Sequence, residues 1–381
     1  MPKGFPNSLT NGGRRFRAGR ICSNTCRTAS GTGSAKSGTG ARSGRRRHED
    51  LKRQAHSAER SANVREETVE IPKVSYTGKI KEVSVGKGDK KITVGGETMY
   101  PFYLFEGQMP HPPRIAMEIY DAPPEDWAEA ALEPFRDVVN DPVAWAQKCV
   151  NAYGAEMLCL QLASTDPNGM NRPSEEAAAI AKKVAEAVDV PLMVWCCAND
   201  EKDADTLRRV AELCADKNLV IGPVGEKNYK QIGAGAIAYK HILGASSPID
   251  VNLAKQLNVL LGNLGVPDAQ ILVDPTTGGL GYGIEYTYSV MERDRMAALT
   301  QQDERLQFPI ICNLAKEVWK TKEAKLSQAD APNLGDPKKR GILMEAVTAV
   351  ILLMAGANIL VMRHPEAIRL VKNMIGDLLK A

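Results

Sequence analysis

The sequence predicts an α/β protein whose main domain is a (β/α)8 TIM barrel, and two observations carry the prediction. Eight apolar runs of strand-like length recur between residues 114 and 364, and amphipathic segments with helical spacing separate them. Continuous apolar strands that alternate with helices are typical of a parallel sheet buried on both faces, and eight is the number that closes a barrel. An open doubly wound sheet shows the same alternation, so the strand count leaves that second architecture open.

The elements follow in chain order. Residues 66–107 predict a small β-rich segment, in which two strands with period-two patterning flank a turn at 86–89 and form a hairpin. Residues 108–381 then form the predicted barrel domain. Its predicted strands are 114–121, 157–164, 191–198, 219–224, 236–246, 271–274, 309–314 and 359–364, and its clearest helices are 142–153, 174–188, 203–215, 248–264 and 341–355.

Residues 1–65 have a different composition from the rest of the chain. They hold fifteen basic and three acidic residues, a net charge of +12, whereas the remainder carries −9. The segment is rich in Gly, Ser, Thr and Arg and lacks periodic apolar residues, so we expect a disordered tail. The mildly acidic body argues against a nucleic-acid-binding protein.

Three interpretations of this tail remain open: an organellar presequence, a basic arm for nucleic acid or anionic surfaces, and an over-extended gene start, which we favour. We expect neither a signal peptide nor a membrane span. The longest apolar stretch, 346–357, is too short and is interrupted by Thr348, which predicts a core helix.

Eight cysteines are present, but their spacing does not predict a metal or disulfide framework. There is no CxxC pair and no four-cysteine iron–sulfur pattern. We interpret most of them as small buried hydrophobic residues in a reducing, cytoplasmic compartment. Any iron–sulfur cluster that serves this protein is therefore expected on another polypeptide.

The segment ILVDPTTGGLGYGIEYTYSVMERDR, residues 271–295, is the most informative about function. An apolar strand ends at Asp274, and four glycines follow at positions 278, 279, 281 and 283 before a helical segment. A glycine-rich turn between strand and helix brings backbone amides close to a ligand. The spacing is not GxGxxG, because Ile284 stands where the third glycine belongs, so a dinucleotide fold is poorly supported. Asp274 is a candidate base or hydrogen-bond acceptor, and a helix cap or a paired strand-end acid is its structural alternative.

In a barrel, ligand chemistry belongs at the carboxyl ends of the strands. Arg363 and His364 end the eighth strand, where Arg363 could meet an anion or pair with acids at the mouth. His241, placed within the predicted fifth strand, is better interpreted as a satisfied core histidine. No zinc spacing and no GxSxG motif occurs. The polar residues at these ends are Asp121, Ser164, Thr165, Asp166, Asn199, Asp200, Glu226, Asn228, Ser246, Ser247, Asp274, Thr276, Asn313, Arg363 and His364.

From about residue 92 to 381 the chain resembles the small (delta) subunit of the corrinoid iron–sulfur protein of the CO dehydrogenase/acetyl-CoA synthase system. The matching stretches are spread in order through the whole barrel, which makes them more specific than one glycine turn. They are TVGGETMYPFYLFEG, DPVAWAQKCVNAYGAEMLCLQL, EKNYK, SPIDVNLAKQLNVLL, DPTTGGLGYGIEYTYSVMER and RGILMEAVTAVILLMAGANILVMRHPEA.

The resemblance implies a TIM barrel that pairs with a large (gamma) corrinoid iron–sulfur subunit. The heterodimer would carry a methyl group from a methyl-tetrahydropterin to acetyl-CoA synthase in the Wood–Ljungdahl (reductive acetyl-CoA) pathway. It would contact the methyl-pterin methyltransferase and acetyl-CoA synthase transiently. The small subunit would share a cobalamin-type corrinoid, without an iron–sulfur cluster or a cobalt ligand of its own. The cofactor-binding residues that the resemblance implies are Asp274, Thr276, Gly278, Gly279, Gly281 and Tyr282, with Asn313, Arg363 and His364 as further candidates.

A second hypothesis is a catalytic barrel, a pterin-dependent corrinoid methyltransferase. Methyl transfer from a pterin amine needs a proton donor at the leaving nitrogen, which Asp121, Asn199 or Asp274 could provide. The match along the whole chain favours the capping subunit. A nucleic-acid protein acting through its basic tail is the least favoured interpretation.

Overall fold

The structure, a computed structural model, describes residues 71–281 and 283–380. Eight parallel strands form a closed barrel in which each strand pairs with the next in sequence and the last pairs with the first. The predicted barrel is therefore confirmed, and the open doubly wound sheet is excluded. The strands are β1 Val83–Val85, β2 Ile92–Val94, β3 Arg114–Tyr120, β4 Leu158–Gln161, β5 Leu192–Trp195, β6 Val220–Val224, β7 Ile242–Ser246, β8 Ile271–Asp274, β9 Ile310–Asn313 and β10 Ala357–Met362, of which β3 to β10 make the barrel.

Helices follow the barrel strands and cover the outside of the sheet. Two predicted helices begin earlier than expected because polar side chains cap them: Asn199 accepts a hydrogen bond from the backbone N–H of Lys202, and Asp336 accepts one from Lys339. The helices are α1 Glu129–Leu132, α2 Pro142–Asn151, α3 Ser174–Ala187, α4 Asp200–Leu213, α5 Tyr229–Tyr239, α6 Val251–Leu264, α7 Ile284–Leu299, α8 Ala315–Trp319, α9 Lys322–Lys325, α10 Pro337–Met354 and α11 Pro365–Leu378.

The predicted strand 236–246 is wrong in its first half. Helix α5 runs on to Tyr239, Lys240 takes a left-handed conformation that ends it, and the strand begins only at Ile242. The apolar run is shared by the end of a buried helix and the start of a buried strand, which hydrophobicity alone cannot separate. His241 thus lies in the turn between them and not in the barrel wall. Its two ring nitrogens bond to Leu219 N–H and Ala211 C=O, which confirms a satisfied core histidine.

The predicted hairpin is confirmed, and it covers the amino end of the barrel. Strands β1 and β2 pair antiparallel, and Val83, Val85, Ile92 and Val94 pack in one cluster with side chains inside the barrel. The side chain of Asn218, just before β6, donates hydrogen bonds to the carbonyls of Ser84 and Gly86. With this end covered, the carboxyl ends of the strands form the accessible mouth.

Trp195 is the largest side chain of the cluster that fills the inside of the barrel. A Cβ atom added at Gly222 would lie 2.7 Å from the ring of Trp195, and one at Gly244 would lie 2.5 Å from it. Glycine at these two positions therefore makes room for the indole, and the barrel is a packed core rather than a channel. Among the helices of the described residues, none combines the length and apolar character that a membrane crossing requires.

Candidate functional site

Asp274 ends β8 at the mouth and is 5% exposed. Its carboxylate accepts a hydrogen bond from the Ser246 hydroxyl, 2.8 Å away at the end of β7, and another from the backbone N–H of Thr276 at 3.0 Å. Burial raises the pKa of Asp274 to about 6, although these two hydrogen bonds favour its charged form. Asp274 therefore fixes the start of the turn that follows through hydroxyl and backbone partners, and not through a barrel arginine.

The turn after Asp274 is held by one hydroxyl group that the sequence analysis did not single out. The backbone N–H of Gly278 donates to the Thr287 hydroxyl at 2.9 Å, and that hydroxyl donates to the carbonyl of Thr276 at 3.0 Å. Thr276 has a positive φ of 61° and donates its own hydroxyl to the carbonyl of Ser247 at 2.7 Å. The first turn of α7 thus holds the glycine turn, and no sequence spacing signals this pairing.

Glycine is favoured in this turn for two different structural reasons. Gly278 is required by close packing, because a Cβ there would lie 2.5 Å from the carbonyl oxygen of Gly283. Gly281 has φ +78°, and an added Cβ would meet none of the described atoms within 4 Å, so its left-handed backbone and not close packing favours glycine there. The carbonyl of Gly279 accepts from the N–H of Ile284, where α7 begins. Tyr282, a predicted site residue, lies outside the described residues.

A wide cleft of about 1210 Å³ lies beside this turn. Gly278 to Gly281 form one wall, and residues after β9 form another. Arg340, 8% exposed, holds this second wall by donating to the carbonyls of Glu323 and Leu326. The lining after β9 comprises Glu317, Lys320, Thr321, Lys322, Glu323, Leu334, Arg340 and Met344.

Inside the mouth, four polar side chains are bonded to one another. Gln161 Nε2 donates to Glu118 Oε1 at 3.0 Å and to Asn313 Oδ1 at 3.3 Å, and Arg363 Nε donates to Glu118 Oε2 at 2.7 Å. The guanidinium carbon of Arg363 also lies 3.6 Å from the centroid of the Trp127 ring. Asn313 and Arg363 are therefore linked through Glu118 and Gln161, which the sequence analysis did not single out. The alternating pattern of RIAMEIY places Glu118 inside the barrel and was a usable signal.

His364 lies next to this network but faces the helix layer. Its Nδ1 accepts from the N–H of Glu366 and caps α11, and its ring stacks on Trp319 at 6.0 Å between centroids. Burial lowers the pKa of His364 to about 4, so the ring is neutral. Nε2 has no hydrogen-bond partner within the described residues.

Glu345 of α10 holds the segment of Arg363 and His364 in place by hydrogen bonds. It was also missed by the sequence analysis. It is fully buried, and it accepts from the backbone N–H groups of Arg363 and His364 and from the Trp319 indole. Burial raises the pKa of Glu345 to about 7 against these hydrogen bonds. A carboxylate in the middle of an apolar helix was the only sequence signal for it.

The remaining predicted rim residues mostly serve the fold. Asp121 accepts from the backbone and hydroxyl of Ser164, and burial raises its pKa. Asn199 caps α4, and Asn228 accepts from the N–H of Gly225. The side chains of Asp121, Asn199 and Asn228 are thus occupied by their own chain. The cleft beside the glycine turn stays open to a ligand, and so does a smaller cavity of about 310 Å³ at the same rim, lined by Asp200, Glu226, Ser246 and Ser247.

The comparison with family models and the comparison with curated proteins point to the same family. Residues 82–375 match the family model described as CO dehydrogenase/acetyl-CoA synthase delta subunit. The acetyl-CoA decarbonylase/synthase complex subunit delta of Archaeoglobus fulgidus is 34% identical over 80% of this chain and 70% of its own length. The subunit of the same name from Methanopyrus kandleri is 34% identical over 75% of this chain and 70% of its own length. Among solved structures, Xanthomonas albilineans dihydropteroate synthase with 4-aminobenzoic acid aligns with a TM-score of 0.49 at 14% identity, over 72% of this chain and 94% of that one.

Proposed function

The chain belongs to the family of CO dehydrogenase/acetyl-CoA synthase delta subunits, and from this membership we propose that it is the small subunit of a corrinoid iron–sulfur methyl carrier. In this proposal it caps a cobalamin-type corrinoid that a large subunit carries. In the same proposal the heterodimer carries a methyl group from a methyl-tetrahydropterin to acetyl-CoA synthase. The relatives are named as subunits of an acetyl-CoA decarbonylase/synthase complex, which supports a role inside a protein assembly.

The open cleft beside the glycine turn is the observation that carries the proposal. Its volume of about 1210 Å³ exceeds the ~300–1,000 Å³ of ordinary small-ligand pockets. Two walls come from this chain, and the remaining side is open. Such a cleft suits one face of a large, flat ligand whose other face a second protein holds, and it suits a small enclosed substrate poorly.

The residues at this cleft fit a corrinoid. A corrinoid bears amide side chains around its edge, and these pair with backbone groups, hydroxyls and charged side chains. The backbone at Gly281, the Thr321 hydroxyl and the side chains of Glu317 and Lys322 offer such partners. Among the described residues that line the cleft there is no histidine or cysteine, so the proposal assigns no cobalt ligand to them.

Each predicted site residue that the structure describes has a specific task in this proposal. Gly278, Gly279 and Gly281 present backbone to the corrinoid, while Asp274 and Thr276 hold that backbone in place. Asn313, Arg363 and His364 support the floor of the mouth through their bonds within the chain. The bound corrinoid supplies the cobalt that accepts and releases the methyl group, and this chain positions it and excludes water from one side.

The polar side chains at the mouth are already hydrogen-bonded within the chain, which disfavours the alternative of a catalytic barrel. A pterin methyltransferase needs an acid or amide directed at the leaving nitrogen. Asp274 and Asp121 accept hydrogen bonds from serines at the ends of neighbouring strands, Ser246 and Ser164, and Asn199 caps α4. The proposal therefore places the chemistry at the cobalt of the partner and the shielding here.

The test is to produce the full chain anaerobically, alone and together with the large subunit, and to record the cobalt-corrinoid absorption spectrum of each purified sample. We expect a stable heterodimer with about one base-off corrinoid, and little corrinoid on this chain alone. The proposal fails if the chain binds no corrinoid with its partner and instead transfers methyl groups from a methyl-pterin to free cobalamin.

A further inference from the structure

Helix α10 exposes a stripe of large apolar side chains on its outer face. Leu343 is 55% exposed, Val347 is 49% exposed and Met354 is 39% exposed. These residues are spaced by four and seven positions, which places them on one side of the helix. Val350 and Ile351, half-buried, fill the space between them. No other part of the chain that the structure describes covers this stripe.

This helix is apolar on its inner and outer faces alike. Between Gly341 and Met354 the only charged residue is Glu345, which is fully buried and bonds inward. A surface helix normally carries charged residues on its outer side, and a helix that is apolar all round is normally buried. Exposed apolar patches of this kind mark interaction surfaces in soluble proteins.

The stripe is continuous with the cleft at the glycine turn. Met344 lines the cleft, one residue after Leu343, and Arg340 lines it one helical turn earlier. Leu334, 46% exposed, extends the apolar surface along the cleft wall. From Leu343 to Met354 the stripe runs about 16 Å along the helix axis. A protein seated on it would therefore also reach the open side of the cleft.

We propose that the outer face of α10, residues Leu343, Val347, Val350, Ile351 and Met354 together with Leu334, is the docking surface for the corrinoid-carrying subunit. This inference rests on the proposed function and adds where that partner binds. The partner surface is apolar where it meets the stripe. It is acidic where it meets Lys339, which is exposed in the first turn of α10, whereas the neighbouring Lys338 pairs with Glu133 of its own chain at 2.7 Å.

Two other occupants fit less well. A second copy of this chain would bring no corrinoid-carrying domain to the open side of the cleft. Residues 1–65 carry a net charge of +12 and few apolar residues, so they match neither the apolar stripe nor the basic turn beside it. In this proposal a different subunit covers both the apolar stripe and the open side of the cleft.

The test uses the full chain with the large subunit and compares Val347→Glu with Ile237→Glu. Ile237 is an aliphatic residue of α5, 37% exposed, so it is a matched control away from α10. We expect Val347→Glu to weaken heterodimer formation by about a hundredfold or more, as a charge placed at an interface core does. Ile237→Glu should leave it within about twofold. The free variants should keep the circular dichroism spectrum of the native chain, which separates lost docking from lost folding.

The outcomes separate this inference from the proposed function. If Val347→Glu binds the large subunit as tightly as the native chain and the corrinoid still loads, the docking surface is overturned while the proposed function stands. If the native chain alone is a dimer that Val347→Glu makes monomeric, the occupant is a second copy and the inference fails. If the native pair forms no complex, the proposed function itself fails.

Discussion

The Nε atom of Arg363 lies 2.7 Å from Oε2 of Glu118, which precedes it by 245 positions, and this ion pair joins the last barrel strand to the first. Both side chains are buried. Met362, the last residue of β10, pairs with Met117 of β3 in the sheet. Arg363 and Glu118 come directly after these two residues and therefore stand side by side under the mouth. Gln161 takes the other carboxylate oxygen, and Trp127 covers the guanidinium. The pair therefore closes the barrel seam and the floor of the candidate site together.

Replacing Glu118 by Gln should destabilise the fold strongly. The change leaves the Arg363 charge buried without a counter-charge, which costs about 3–5 kcal/mol in comparable sites. The free energy of unfolding in urea measures it. Glu156→Gln is the control, because it removes a partner of Arg114 at the surface, where ion pairs contribute about 0–1 kcal/mol. Similar losses in both variants would contradict the role given to the buried pair.

Replacing Gly278 by Ala should abolish corrinoid loading while the barrel stays folded. A methyl group at this position meets the carbonyl of Gly283 at 2.5 Å, so the turn must open and its backbone groups move. Gly376→Ala in α11 adds a methyl group into open space and should be neutral or stabilising, by up to about 1 kcal/mol. Corrinoid absorbance of the purified heterodimers distinguishes the two variants. Full loading of Gly278→Ala would show that the turn does not contact the cofactor.

Sequence patterning predicted the barrel because each strand is a short apolar run and each helix is amphipathic or ends at a cap. It failed at 236–246, where helix and strand share one apolar stretch and only the left-handed Lys240 separates them. Asp274 and the glycine turn were found because a strand, an acid and glycines are adjacent in sequence. Thr287 and Glu345 were missed because their partners come from other elements, which one sequence does not reveal.

Replacing Thr287 by Val should loosen the glycine turn. The variant keeps the shape of the side chain but leaves the Gly278 N–H and the Thr276 carbonyl without their shared hydroxyl. Unsatisfied buried groups cost about 1–3 kcal/mol, so unfolding in urea should shift by that amount. Thr287→Ser retains the hydroxyl and should lose less than half as much. Equal losses in the two variants would assign the effect to packing of the methyl group instead.

Replacing Asp274 by Asn should stabilise the ligand-free chain relative to the native chain, and more so as the pH rises. The pKa of Asp274 is raised to about 6 in the folded state from 3.8, so folding favours the protonated acid. The native stability from this group is present at low pH and is lost as the pH rises from about 4 to about 6. Relative to the native chain, the free energy of unfolding of the variant should therefore increase across that range, by up to about 3 kcal/mol. A constant difference from pH 4 to 7.5 would contradict a buried, protonated carboxyl.

Replacing His364 by Asn, at the N-cap of α11, should change the free energy of unfolding with the opposite pH dependence. Burial lowers the pKa of His364 to about 4 in the folded state from 6.5, so the unfolded chain takes up the proton first. The native protein keeps this stability above pH 6.5 and loses it as the pH falls toward 4. Asn retains an N-cap for α11 but does not titrate. The stability of the native chain relative to the variant should thus fall by up to about 3 kcal/mol between pH 6.5 and pH 4. Urea unfolding at several pH values tests this prediction. A difference that stays flat, or that grows toward acid, would mean that the folded protein binds the proton on His364 at least as readily as the unfolded chain.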